Sequence, residues 1–67
     1  MNDDAVKAAA GRFVKNIGFT AQREIEKVLR NALATGQVKG GENLTTAVTL
    51  SSDTLGLNVT IFSKIEI

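Results

Sequence analysis

Ala34-Thr35-Gly36-Gln37-Val38-Lys39-Gly40-Gly41-Glu42-Asn43-Leu44 is where the chain changes its hydrophobic period. Before this stretch, apolar residues recur three and four positions apart, the spacing of one helix face. After it they alternate, the spacing of a strand with one covered side. The stretch itself holds three glycines and no periodicity. Its reading is a helix stop at Gly36 followed by a connector, so the fold class is α+β, helices first and sheet second.

Upstream, Val6, Ala9, Ala10, Phe13, Val14 and Ile17 follow the i, i+3, i+4, i+7 pattern. Asn2 or Asp3 is the expected N-cap, with acid in the first turn where the helix dipole favours it. Gly18 has the chemistry of a left-handed C′ residue, and Thr20 that of a new N-cap. These signals predict a first helix over about 3–16 and a second over about 21–34. The second helix has its own face of Ala21, Ile25, Val28, Leu29, Ala32 and Leu33.

Downstream, Leu44, Val48 and Leu50 share one face of a strand over about 44–50, and Ser51-Ser52-Asp53-Thr54 has turn chemistry. From Leu55 to Ile67 every odd position except Ser63 is apolar. This predicts a second strand over about 56–62. Phe62-Ser63-Lys64 then either turns into a short third strand at 64–67 or continues one long strand. The expected order is ααββ or ααβββ in a single small antiparallel domain, both helices lying on the apolar sheet face.

Sixty-seven residues without cysteine leave no disulfide to support so small a core. With no histidine either, a zinc site is not expected, and neither is any other metal or a cofactor. Oligomerisation gains weight by elimination. The N-terminal Met1-Asn2-Asp3-Asp4 has no basic and apolar leader pattern, and no run reaches the ~20 apolar residues of a membrane span. A cytoplasmic protein with no membrane contact is expected.

Catalysis finds little to work with. Histidine, cysteine, tyrosine and tryptophan are all absent. Glu24 and Glu26 are two apart on a helix and so diverge. No catalytic residue is assigned, and the chain is read as a non-enzyme. The glycine-rich Gly36–Gly41 segment runs from helix to strand, the reverse of a phosphate-cradling loop.

Two surfaces remain. Residues 1–39 carry seven Lys/Arg against four acids, whereas residues 40–67 carry one Lys against three acids. In the basic half, Gln22, Arg23, Lys27 and Arg30 line the exposed side of the second helix. If Thr20 begins a recognition helix, they would meet nucleic acid and the hairpin would be a wing, a weak likeness to helix-turn-helix and winged-helix modules. Glu24 and Glu26 oppose this by placing negative charge beside the same groups. Only two helices are available where such modules pack three, and the position six after the turn glycine is Glu24 rather than apolar. The plainer reading is a solvated face with Arg23–Glu26, Glu26–Arg30 and Glu24–Lys27 pairs. The second surface is the C-terminal sheet edge. There Phe62, Lys64, Ile65 and Ile67 are the expected interface for self-association or an unknown protein partner.

The stretch from Gly18 to Val28, together with Leu55-Gly56-Leu57 in a Thr/Val/Leu-rich strand region, resembles a family of short uncharacterised bacterial proteins. The resemblance implies bacterial origin and no assigned function, and it transfers no site residue. The expectation is a non-enzymatic interaction or regulatory module able to form a homodimer, with nucleic-acid binding as the alternative.

Overall fold

The computed structural model describes residues 2–67 and is of the α+β class: one helix, α1 (Asp3–Thr35), then two strands, β1 (Asn43–Ser52) and β2 (Leu57–Glu66). The chain divides between Gln37 and Val38 into a helical unit and a hairpin unit.

The helical unit corrects the expectation of two helices. Residues 17–20 are helical throughout, and the only glycines with positive φ are Gly36, Gly41 and Gly56. Gly18 therefore does not act as a C′ residue, and Thr20 caps nothing. Energetics explain why. A glycine inside a helix costs about 1 kcal/mol. A break there would leave up to four carbonyls and four N–H groups without helical partners and require a second nucleation.

The apolar pattern also gives no reason to break. Val6, Ile17 and Val28 are eleven apart, as are Ala10, Ala21 and Ala32, and Val14 and Ile25. Eleven residues make three turns at 3.67 residues per turn, so the stripe keeps its phase through Gly18. The two faces read from sequence are one.

The ends of α1 behave as expected. Asn2 is the N-cap, extended at φ −93° and ψ 171°, and its side-chain oxygen accepts from the Ala5 N–H at 2.8 Å. Asp3 and Asp4 occupy the first turn. At the other end Gly36 is left-handed with φ 78°, and its N–H donates to the Leu33 carbonyl at 3.3 Å.

In the hairpin unit β1 and β2 form a two-stranded antiparallel sheet in unbroken register from Asn43↔Glu66 to Ser52↔Leu57. Three expectations shift. Ser51 and Ser52 belong to β1, and the turn is Asp53–Gly56. Leu55 is accordingly a turn residue, not part of the alternating face. Residues 62–64 do not turn, so no third strand exists at 64–67 and β2 is one long strand.

Side-chain chemistry sets the position of that turn. Asp53 at the first position and Gly56 at the fourth suit a type I turn. The Gly56 N–H donates to the Asp53 carbonyl at 3.3 Å, and Gly56 takes φ 64°. Ser52 Oγ accepts from the Leu55 N–H at 3.3 Å, so a serine read as a turn residue closes the turn from the strand end.

The pairing builds one apolar face from Leu44/Ile65, Val48/Ile61 and Leu50/Val59, completed by Leu57 opposite Ser52. The other face carries Thr45/Lys64, Ala47/Phe62, Thr49/Thr60 and Ser51/Asn58. Thr49 and Thr60 share a hydroxyl–hydroxyl hydrogen bond of 3.1 Å, a cross-strand pair of the kind that fixes register.

Candidate functional site

Continuity of α1 removes the helix-turn-helix geometry, because residues 21–34 are not a separate recognition helix. The four residues read as nucleic-acid contacts do lie on α1. Arg23 and Arg30 fall on the side of the helix away from the Val6–Ile17–Val28 row, Lys27 lies on its flank about 80–100° from the row, and Gln22, about 100° round the helix from Arg23, is also on the far side. The Arg23 guanidinium sits over the Phe19 ring, 5.7 Å from its centroid. Lys27 pairs with Glu24 at 3.6 Å, and Arg30 donates to Glu26 at 2.9 Å.

Two of the three expected ion pairs are therefore formed, while Arg23 turns to an aromatic ring instead of Glu26. The long side chains from Phe19 to Arg30 border a groove of about 380 Å³ with carboxylates mixed among the cations. Lys27 and Arg30 each have a carboxylate neighbour that offsets their charge, whereas Arg23 keeps its charge over a neutral ring, and exposed ion pairs of this sort contribute only a few tenths of a kcal/mol.

Three of the four residues read as an interface, Phe62, Lys64 and Ile65, share β2 but not one face. Ile65 faces Leu44 on the apolar side, whereas Phe62 and Lys64 lie on the opposite side beside Ala47 and Thr45. Phe62 is 69% exposed. Ile67 lies one residue beyond β2: its N–H donates to the Glu42 carbonyl at 3.0 Å and its carbonyl accepts from the Gly41 N–H.

That inward bonding fixes the sense of the ladder. Backbone groups alternate along an antiparallel strand, so odd residues of β2 bond inward to β1. Asn58, Thr60, Phe62, Lys64 and Glu66 turn their N–H and C=O groups to the open edge. Phe62 and Lys64 thus combine an exposed side chain with an outward backbone.

Sequence reasoning missed two features. Leu55 stands at the hairpin tip, 78% exposed, because the turn starts later than Ser51. The larger omission is the stripe on α1, which runs unbroken from Val6 to Ala32 on a helix with no buried residue. Val14 and Val28 are each 62% exposed. The signal was present in the eleven-residue spacing, but the Gly18 and Thr20 signals divided it in two.

Among the described residues no three acidic side chains converge in a way that would hold a metal ion, and no helix is long and apolar enough to cross a membrane. Comparison with the curated proteins gave no match, and comparison with the solved structures gave none. Residues 1–67 match the model of a family described as a family of unknown function (DUF6494), and since that match spans the whole sequence the chain belongs to this family.

Proposed function

We propose that this protein is a non-enzymatic interaction module and that the open edge of β2 is a docking line for an added strand. The observation that carries this is the outward backbone of β2 beside an exposed Phe62. A sheet edge with unpaired N–H and C=O groups takes up an extended segment by continuing the ladder, and the side chains alternating along it select which segment. Lys64 and Glu66 set the charge pattern of that choice, because like charges opposite them repel. The segment comes from a partner protein or from a second copy in the same register.

The composition supports a non-catalytic role, since the usual proton-transfer and nucleophilic side chains, His and Cys, are missing from the sequence. Nucleic-acid binding draws no comparable support: Lys27 and Arg30 of the expected contact set are paired with Glu24 and Glu26, and Arg23 lies over the Phe19 ring.

Lys64→Pro tests the edge. Proline removes one outward N–H and is tolerated on an edge strand, so the hairpin should persist while strand addition is lost. Amide exchange at Phe62 and Lys64 of the wild type should slow when a strand is added, and in the variant, which has no amide at position 64, the Phe62 amide should stay at the free rate. A partner captured equally well by wild type and Lys64→Pro would defeat the reading.

A further inference from the structure

The apolar stripe of α1 has a length and an internal symmetry that point to its occupant. At 1.5 Å per residue the 33-residue helix is about 50 Å long. The stripe itself, from Val6 to Ala32, spans about 39 Å of it. A second copy of α1 matches its full length.

The residue order supplies the second argument. Rotation about a point midway along the stripe, at Phe19, sets Val6 against Ala32, Ala10 against Val28, Phe13 against Ile25, and Ile17 against Ala21. Every layer except Phe13/Ile25 then pairs a large side chain with a small one, so two helices can hold a constant separation along their length. A parallel pair in register would stack Ala10 on Ala10, Ala21 on Ala21 and Ala32 on Ala32, alternating with layers of Val6, Ile17 and Val28. Its separation would have to widen and narrow three times.

We infer that the protein forms a homodimer in which two α1 helices pair antiparallel through Val6, Ala10, Ile17, Ala21, Val28 and Ala32. The eleven-residue period makes the crossing nearly straight or slightly right-handed. The antiparallel order also sets the helix dipoles in opposition and keeps the Asp3-Asp4 clusters of the two copies at opposite ends. A stripe roughly a third of the way round each helix removes on the order of 1,000 Å² from water across the pair, the size at which specific interfaces begin.

This pairing uses a different surface from the β2 edge, and the two are separable. Since the sequence has no cysteine, introduced thiols report position without interference. Sedimentation of the full chain across the micromolar range should give dimer mass. On oxidation, a mixture of Ala10→Cys and Val28→Cys chains should form the mixed disulfide, whereas Ala10→Cys alone should not cross-link. Ile17→Asp should shift the mass to monomer, while Lys64→Pro should leave the dimer intact.

A monomer at every concentration overturns the inference. An Ala10–Ala10 cross-link overturns the antiparallel order, and a dimer that forms neither disulfide, or that Lys64→Pro dissolves, overturns the assignment to α1. Strand addition that persists in Lys64→Pro, with the dimer retained, would strike only the edge reading.

Discussion

Gly18 and Gly36 stand in similar local sequence, yet the first lies in the middle of a helix and the second ends it. Gly18 is followed by Phe19 and a capping threonine, Gly36 by Gln37 and Val38. Judged from immediate neighbours, Gly18 is the better stop. What differs is what lies beyond. After Gly18 the apolar rows continue in phase through Ala21, Ile25 and Val28, with strong helix formers between them. After Gly36 come Val38, Gly40 and Gly41, with no row to continue and two more residues that weaken a helix. A helix end is decided by whether the next two turns are worth forming, and the glycine only makes the ending cheap when they are not.

The largest expected effect tests that contrast most directly. Gly18→Pro removes an i→i−4 hydrogen bond and clashes with the carbonyl of Val14, at a cost of about 3 kcal/mol inside a helix. Far-UV circular dichroism should lose a large share of its helical signal and the melting temperature should drop. Unchanged helicity would mean that the helix was already interrupted there, and the contrast would collapse.

Alanine separates the two glycines by sign. Gly36→Ala places a side chain at φ 78°, which costs about 1–2 kcal/mol even though an added Cβ meets nothing within 4 Å. Gly18→Ala also meets open space, but in helical geometry, and should stabilise α1 by about 1 kcal/mol. Opposite shifts in thermal melts are expected. Two shifts of the same sign would show that the two positions are conformationally alike.

The same contrast explains what was legible in the sequence. Periodicity placed the joint at residues 34–44, the Asn2 or Asp3 cap and the Gly36 stop, because these depend on local chemistry and on face. It failed at Gly18 and Thr20, where local chemistry and long-range phase disagree and the phase prevails. In the hairpin the alternation of Leu44, Val48 and Leu50 against the odd residues of β2 gave the faces correctly. The turn slipped because Ser51 and Ser52 suit a strand end as well as a turn, and only the pairing of Ser52 with Leu57 resolves it. The candidate surfaces were half legible. Phe62 stood out as the aromatic on the polar face, whereas the α1 stripe was hidden by the division at Gly18. The partner of Arg23 was misread because charge complementarity pointed to Glu26, three residues on, while the Phe19 ring lies a full turn back.

The smallest expected effect concerns that ring. Phe19 and Arg23 are four apart, and their contact at 5.7 Å spans Thr20, the residue that would cap a second helix. In a continuous helix, positions i and i+4 face each other across one turn. If Thr20 were an N-cap, Phe19 would lie outside the helix and the ring would leave the guanidinium. A double-mutant cycle of Phe19→Ala and Arg23→Ala should therefore return a favourable coupling of about 0.5 kcal/mol, ordinary for an exposed cation–π pair. Because Phe19 is 69% exposed, neither single change should disturb the rest of α1 by more than its helix propensity. Zero coupling together with a destabilising Thr20→Ala would restore the broken helix. Measurable coupling with Thr20→Ala neutral or stabilising would fix the turn between Phe19 and Arg23 as helical, because alanine is the better helix former and no cap would have been lost.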